Sequence, residues 1–199
     1  LNTTASFPER RFENPATDAS HSRPFYGSFI SSVDMFDASF FGIRAVEASS
    51  MDPQQRLLLE VTWEALECAG ISARQVEGKN VGMFVGCMSN DYMYIANVSE
   101  SPYAGTGNTA SAVSGRISYS FGLQGPSLTI DTACSGSLVG ESLAERFIKG
   151  NECEMAIVAG VQCNIIKDAF VGLTLMGALS TDGLCKTFDA GADGYGRGE

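Results

Sequence analysis

His21 is the only histidine in the sequence, and the six cysteines, at 68, 87, 134, 153, 163 and 185, include no Cys-x-x-Cys pair. That pattern suggests neither a zinc site nor a dense disulfide framework, so reduced thiols and a cytoplasmic location are expected. Basic residues are scarce as well. Thirteen Lys and Arg against 23 Asp and Glu give a net charge of −10, which leaves no broad phosphate-binding face and excludes nucleic acid as the expected partner. No apolar run approaches the roughly 20 residues of a membrane span, and residues 1–25 lack the apolar core of a signal peptide. The sequons Asn2-Thr3-Thr4 and Asn97-Val98-Ser99 are accordingly expected to be unmodified. An initiating methionine is missing too: the chain opens on Leu1 and stops at Glu199 within GADGYGRGE, and it reads as a piece of something longer.

Hydrophobic residues make up 44% of the sequence and charged residues only 18%, the balance of a globular chain rather than a disordered one. Residues 1–33 are rich in Pro, Ser, Asn and Arg without periodicity and read as a loop or linker. The first firm element is a helix from Asp52-Pro53 to about Ala69. Asp52 is placed to cap it, Pro53 suits its first position, Gln55 completes a box-like start, and Gly70 can close it in the left-handed conformation. Leu58, Val61, Ala65, Leu66 and Ala69 would form its buried face. Further strands are expected at 81–86, 127–131 and 155–161, with helices at about 109–121 and 135–149, the last buried through Val139, Leu143 and Phe147. Strand–helix–strand–helix–strand order implies an α/β fold, a parallel-rich sheet with helices on both faces.

Cys134 stands just after an apolar strand segment and directly before a helix. The positive end of a helix dipole lowers a thiol pKa and favours the thiolate, and the carboxyl ends of parallel strands are where ligands bind. Ser135, Gly136 and Ser137 leave room for a substrate. On these local grounds a buried structural cysteine and a catalytic one are equally supported. Other features read as structural. His21 lies in the polar leading segment and reads as a surface residue. Residues 105–110 fit GxGxxA, but SESPYA before them is a loop, so tight packing is the better reading than a dinucleotide site. Gly194, Gly196 and Gly198 have no following helix to cradle a phosphate and read as a turn with positive backbone angles. Cys68, Cys87, Cys153, Cys163 and Cys185 lack an activating context and read as inert thiols.

DTACSGSL at 131–138 resembles the active-site motif of the beta-ketoacyl synthase family, in which the cysteine accepts an acyl chain as a thioester. VDMFDASFFGI (33–43), MDPQQRLLLEVTWEALECAGI (51–71), GRISYSFGLQGPSLTIDTACS (115–135) and LSTDGLCKTFDAGADGYGRGE (179–199) match in order and spacing. The likeness covers roughly residues 25–199, with 1–24 as a leading loop, and is strongest to ketosynthase domains of type I polyketide synthases. It implies a thiolase-like fold, of which this chain would be mostly the first half. It also implies acyl transfer to Cys134, then decarboxylative Claisen condensation with a malonyl-type extender. No cofactor is implied beyond the phosphopantetheine of an acyl carrier protein. The implied partners are that carrier, a second copy in a homodimer with Ser127 to Asp131 near the two-fold axis, and other synthase domains in cis. Carrier docking would then need a local basic patch, around Arg10, Arg11 and Arg23 or outside the chain.

Departures from the family pattern are Gly136 for a common serine, Gly140, Glu141 and Ser142 where Ala, Leu and His are frequent, and Leu184 for a frequent arginine. The family's two histidines lie downstream of these residues, so the chain alone is expected to be inactive. Two rivals remain at this level. A non-catalytic condensing-enzyme scaffold would not need Cys134. A cysteine hydrolase would place glycine two residues before its nucleophile, where this chain has Thr132.

Overall fold

A computed structural model describes residues 4–6, 26–94 and 101–199. Its elements run β1 (Thr4–Ser6), β2 (Tyr26–Ser28), α1 (Ala45–Ala48), α2 (Pro53–Cys68), α3 (Ala73–Val76) and β3 (Val81–Gly86). A 3₁₀ turn (Asp91–Tyr94), α4 (Ala104–Asn108), α5 (Ala110–Phe121), β4 (Ser127–Ile130) and α6 (Gly136–Lys149) follow. β5 (Met155–Gly160), α7 (Asp168–Leu175) and β6 (Arg197–Gly198) complete the order. The chain divides into two compact units, residues 33–162 and residues 1–32 with 163–199.

In the larger unit β4, β3 and β5 form a parallel sheet with β3 in the centre, Gly86 opposite both Ile130 and Gly160. All six residues of β3 are buried, because its alternating side chains serve two cores. Val81, Met83 and Val85 join Leu58, Leu59 and Leu66 of α2 and Val113, Ile117 and Phe121 of α5. On the other face Phe84 meets Phe147 of α6 edge-on, with ring centroids 5.4 Å apart. Helices therefore cover both faces, as the alternation of elements implies. The flanking strands are less covered than β3: β5 is only partly covered and the first half of β4 is exposed.

α2 begins where the sequence places it. Asp52 accepts the Gln54 amide through its side chain (2.8 Å), Pro53 opens the first turn, and Gly70 has φ +70°. Gln55, however, does not close a capping box. The Asp52 amide that it would cover already donates to the Gly107 carbonyl (2.9 Å), so the Gln55 amide turns to Gly107 O (2.9 Å) and Thr106 O (3.2 Å). The buried face of α2 is also rotated from the expected one: Gln55, Leu58, Leu59, Thr62 and Leu66 are buried, whereas Val61, Ala65 and Ala69 are exposed. Burying Leu58 and Leu59 fully contributes about 1.5–3 kcal/mol each. Phe40 packs edge-on to Trp63 (4.8 Å) and Phe41 reaches Phe121 (6.5 Å), so the 33–43 motif is an aromatic cap on α2 and α5.

The buried stripe of α6 is Gly136, Gly140 and Ala144. Val139, Leu143 and Phe147, expected to carry it, are half-buried on its flanks. Small residues bring this helix onto the sheet backbone: a methyl on Gly86 would lie 2.4 Å from the Ser137 nitrogen and 2.6 Å from the Gly136 carbonyl carbon. In the smaller unit, β1 pairs antiparallel with β2, and β2 pairs parallel with β6. Residues 1–33, read as loop or linker, thus contribute two strands, and their hydrogen-bond partners include residues distant in sequence. Phe170 is fully buried there, under Phe29 (6.1 Å) and the Arg197 guanidinium (4.8 Å).

The glycines of this packing predict opposite outcomes. Gly86→Ala must displace the backbone of the first turn of α6 and should cost about 1–3 kcal/mol. A methyl on Gly140 meets only side-chain carbons at 3.4–3.6 Å, so Gly140→Ala should be neutral or stabilise by up to about 1 kcal/mol through helix propensity. Denaturant unfolding of both variants measures the contrast.

Candidate active site

β4 ends at Ile130, α6 starts at Gly136, and the five residues between them form a strained corner at the carboxyl edge of the sheet. Ala133 has φ +53°, a left-handed conformation that costs a non-glycine residue roughly 1–3 kcal/mol and persists only where neighbouring bonds enforce it. Those bonds are present. The Ala133 amide donates to Asp131 Oδ1 (3.1 Å), and the Ser135 hydroxyl lies 2.8 Å from Thr132 O and 2.9 Å from Thr132 Oγ1. The Gly136 amide closes the turn onto Ala133 O (3.1 Å). Cys134 is carried at the crest, exposed, one residue before the cap of the fourteen-residue α6.

Close backbone packing holds the corner against the sheet. A methyl on Gly136 would come within 3.1 Å of Gly86 Cα and 3.2 Å of Ile130 O, and one on Gly160 within 2.9 Å of Ser137 Cβ. Behind it lies a buried polar layer absent from the sequence reading of the site. Asp52 is 2% exposed, and burial, aided by the nearby Asp91 charge, pushes its carboxyl above the usual range. Gln54, 1% exposed, donates to Ser89 O (2.9 Å) and Asp52 Oδ2 (3.2 Å). Cys87 follows β3 directly, and its thiol is pushed up to about 11, first by burial and then by the Asp52 charge. The MDPQQR segment signalled a helix start. Nothing local to it revealed that its glutamine reaches the strand-end loop 35 residues away.

Cys68 and Cys185 are exposed, and Cys153 and Cys163 are buried. Cys185 Sγ accepts the Gly196 amide (3.2 Å). Residues 105–110 span the end of α4 and the first residue of α5, no strand leads directly into them among the described residues, and Gly107 is a packing glycine whose methyl would strike Ser50 O at 2.1 Å. Of the three late glycines only Gly194 has a positive angle, φ +141°. Gly196 instead permits close approach to Gly183 O, and Gly198 lies in β6, so a shared positive-angle turn does not describe them. Around them Lys186 pairs with Asp193 (2.6 Å) and Asp182 (3.2 Å), holding the Asp193 carboxyl well below its usual range. His21, Arg10, Arg11 and Arg23 lie outside the described residues. Among the described residues no cluster of three His, Cys, Asp or Glu has metal-binding geometry, and no helix is long and apolar enough to cross a membrane.

The family model for the beta-ketoacyl synthase N-terminal domain matches residues 2–199. Polyketide synthase GfsE of Streptomyces halstedii is 48% identical over 176 residues, 87% of this chain and 5% of that protein. The spectinabilin polyketide synthase system protein NorC of Streptomyces orinoci is 45% identical over 206 residues, 98% of this chain and 9% of that one. The chain thus spans only a small part of the length of the relatives it matches. In three dimensions it is similar to the ketosynthase from module 6 of the Bacillus subtilis bacillaene synthase, with TM-score 0.86 at 36% identity, covering 100% of this chain and 32% of that chain. The oxazolomycin ketosynthase domain OzmH KS7 of Streptomyces albus gives TM-score 0.85 at 36% identity, covering 97% and 36%.

The environments of the two cysteines near the sheet edge predict different reactivity. With its thiol near 11, about one part in a thousand of Cys87 is thiolate at pH 8. Brief iodoacetamide treatment at that pH, followed by peptide mapping, should label Cys134 and leave Cys87 intact.

Proposed function

The chain belongs to the beta-ketoacyl synthase family and has its thiolase-like condensing-enzyme fold, and from that premise we propose that Cys134 is the acyl-accepting nucleophile of a polyketide synthase ketosynthase. The observation that carries the reading is the exposed thiol on an enforced left-handed corner at the start of α6. In the first stage the Cys134 thiolate attacks the carbonyl carbon of an acyl thioester on a carrier's phosphopantetheine. The backbone amide of Cys134 contributes to stabilising the oxyanion, and collapse expels the carrier thiolate and leaves the acyl group on sulfur. In the second, a malonyl-type thioester loses carbon dioxide, and the resulting enolate carbon attacks the acyl–Cys134 carbonyl. A carbon–carbon bond forms, the carbon–sulfur bond breaks, and the thiolate is regenerated.

The rival readings separate by their products. A scaffold would leave Cys134 unacylated, and a hydrolase would release free acid. Incubating the complete ketosynthase domain with an acyl carrier thioester should place the acyl group on Cys134, and Cys134→Ala should lower condensation by about 10³-fold or more. Label on the other exposed thiols, Cys68 or Cys185, with Cys134 unmodified would overturn the assignment.

We infer that the domain works as a homodimer. β4 is an edge strand among the described residues, its Ser127 and Leu128 are exposed, and Tyr119 on the neighbouring α5 is 87% exposed. An uncovered edge of this kind is a template for pairing with a second copy. Light scattering on the complete domain should give the mass of a dimer, and Leu128→Lys should shift it toward monomer.

A further inference from the structure

A primary amide buried to 1% is costly unless its hydrogen bonds are met. Gln54 meets them by crossing from the first turn of α2 to the loop that leaves β3, where its Nε2 donates to Ser89 O at 2.9 Å while Asp52 Oδ2 accepts from it at 3.2 Å. The Cys87 thiol points to the same carbonyl at 3.6 Å. On its other side Ser89 is tied to the exit of β5, its hydroxyl accepting from Gln162 Nε2 at 2.7 Å. Ser89 is thus anchored both to α2 and to the β5 exit.

Only Cys87 and Met88 separate Ser89 from Gly86, the residue on which the first turn of α6 rests with almost no clearance. The Cys87 amide donates to Ile130 O (3.1 Å), four residues before Cys134, and the Val161 amide donates to Gly86 O (3.0 Å). The end of β3 is therefore fixed between its two neighbouring strands, and the α6 turn lies directly on it. A displacement of the Ser89 loop that moves Gly86 meets the backbone of Gly136 and Ser137, and so reaches the nucleophile two residues earlier. A backbone contact cannot absorb that shift as a flexible side chain would.

We propose that Ser89, clasped by Gln54 and Gln162, is a positioning residue that sets the place of Cys134 for acyl transfer. The role rests on Cys134 being the acyl acceptor. It acts through the strand end, not on the substrate, and a misplacement on the order of 1 Å at a reacting atom costs up to about 10² in rate.

The test uses the complete ketosynthase domain and a saturating acyl carrier thioester, with the first-order acylation of Cys134 followed by mass spectrometry per alkylatable site. Ser89→Ala removes the hydroxyl and keeps the carbonyl that Gln54 holds, so acylation should slow about 10-fold with the melting temperature little changed. Gln162→Leu, which removes the same bond to the Ser89 hydroxyl, should slow it at least as much. The double variant should lose less than the product of the two single losses, since both remove the Ser89–Gln162 bond, and Ser89→Thr should keep the rate near that of the unaltered domain. A merely structural role would lower the melting temperature and the fraction of competent sites and leave the rate per site unaltered. Unchanged rates in both single variants, or no rescue by threonine, would overturn the proposal. If Ser89→Ala does not fold, Gln162→Leu decides by the same rate. Absence of label on Cys134 in the unaltered domain would remove the acyl-acceptor reading and this one together.

Discussion

The carboxyl edge of the sheet depends on one contact, the backbone of the first α6 turn lying on Gly86. A side chain at position 86 would overlap Ser137 and Gly136, and one at 160 would crowd Ser137. Glycine in a strand or helix ordinarily costs 0.5–1 kcal/mol relative to alanine, and two of these three stand at the ends of strands β3 and β5, where that cost is accepted in exchange for proximity. The result is a helix start whose position relative to the strands is set by atom radii. Cys134 inherits that rigidity from the turn it precedes.

A second constraint follows from β3 being buried on both faces. Val81, Met83 and Val85 pack into one core and Phe84 into the other, so the strand has no face on which a polar change is free. It is the member that both helical layers share, and its end carries the loop from Cys87 to Ser89. Rigidity at the nucleophile and burial of the central strand are thus two aspects of the same packing, since the strand cannot slide without opening both cores.

The parts of this arrangement legible in the sequence are those with a local signature. Asp52-Pro53 and Gly70 bracket α2, the continuous apolar run at 81–86 marks the central strand, and the strand-to-helix change at 131–136 locates Cys134. Hydrophobic periodicity failed where close approach mattered. It selects large apolar residues, so it favoured Val139, Leu143 and Phe147 over the glycines and alanine that α6 buries. It also placed Val61, Ala65 and Ala69 inside and left Gln55 and Thr62 off the buried face. β1, β2 and β6 are two or three residues long, too short to show alternation, and β2 pairs with β6 across most of the chain. The Gln54, Ser89 and Gln162 link joins polar residues 35 and 73 positions apart, and nothing near any one of them announces its partner.

The departures from the family pattern are explained by the same geometry. Glu141 and Ser142 are exposed on α6, so they change what the helix presents outward. Gly140 has ordinary clearance above Phe84 and Val158, and position 140 can vary between glycine and alanine without moving the helix. At Leu184 the half-buried side chain is secondary to its amide, which donates to Asp182 Oδ1 (3.1 Å) to form the turn, and any residue but proline supplies that amide. Gly136 is different, because its missing methyl would sit 3.1 Å from Gly86 Cα, tighter than ordinary contact. A serine there requires the strand end and the helix turn to part by a few tenths of an ångström, so among these departures Gly136 alone bears on how closely the nucleophile's turn approaches the sheet.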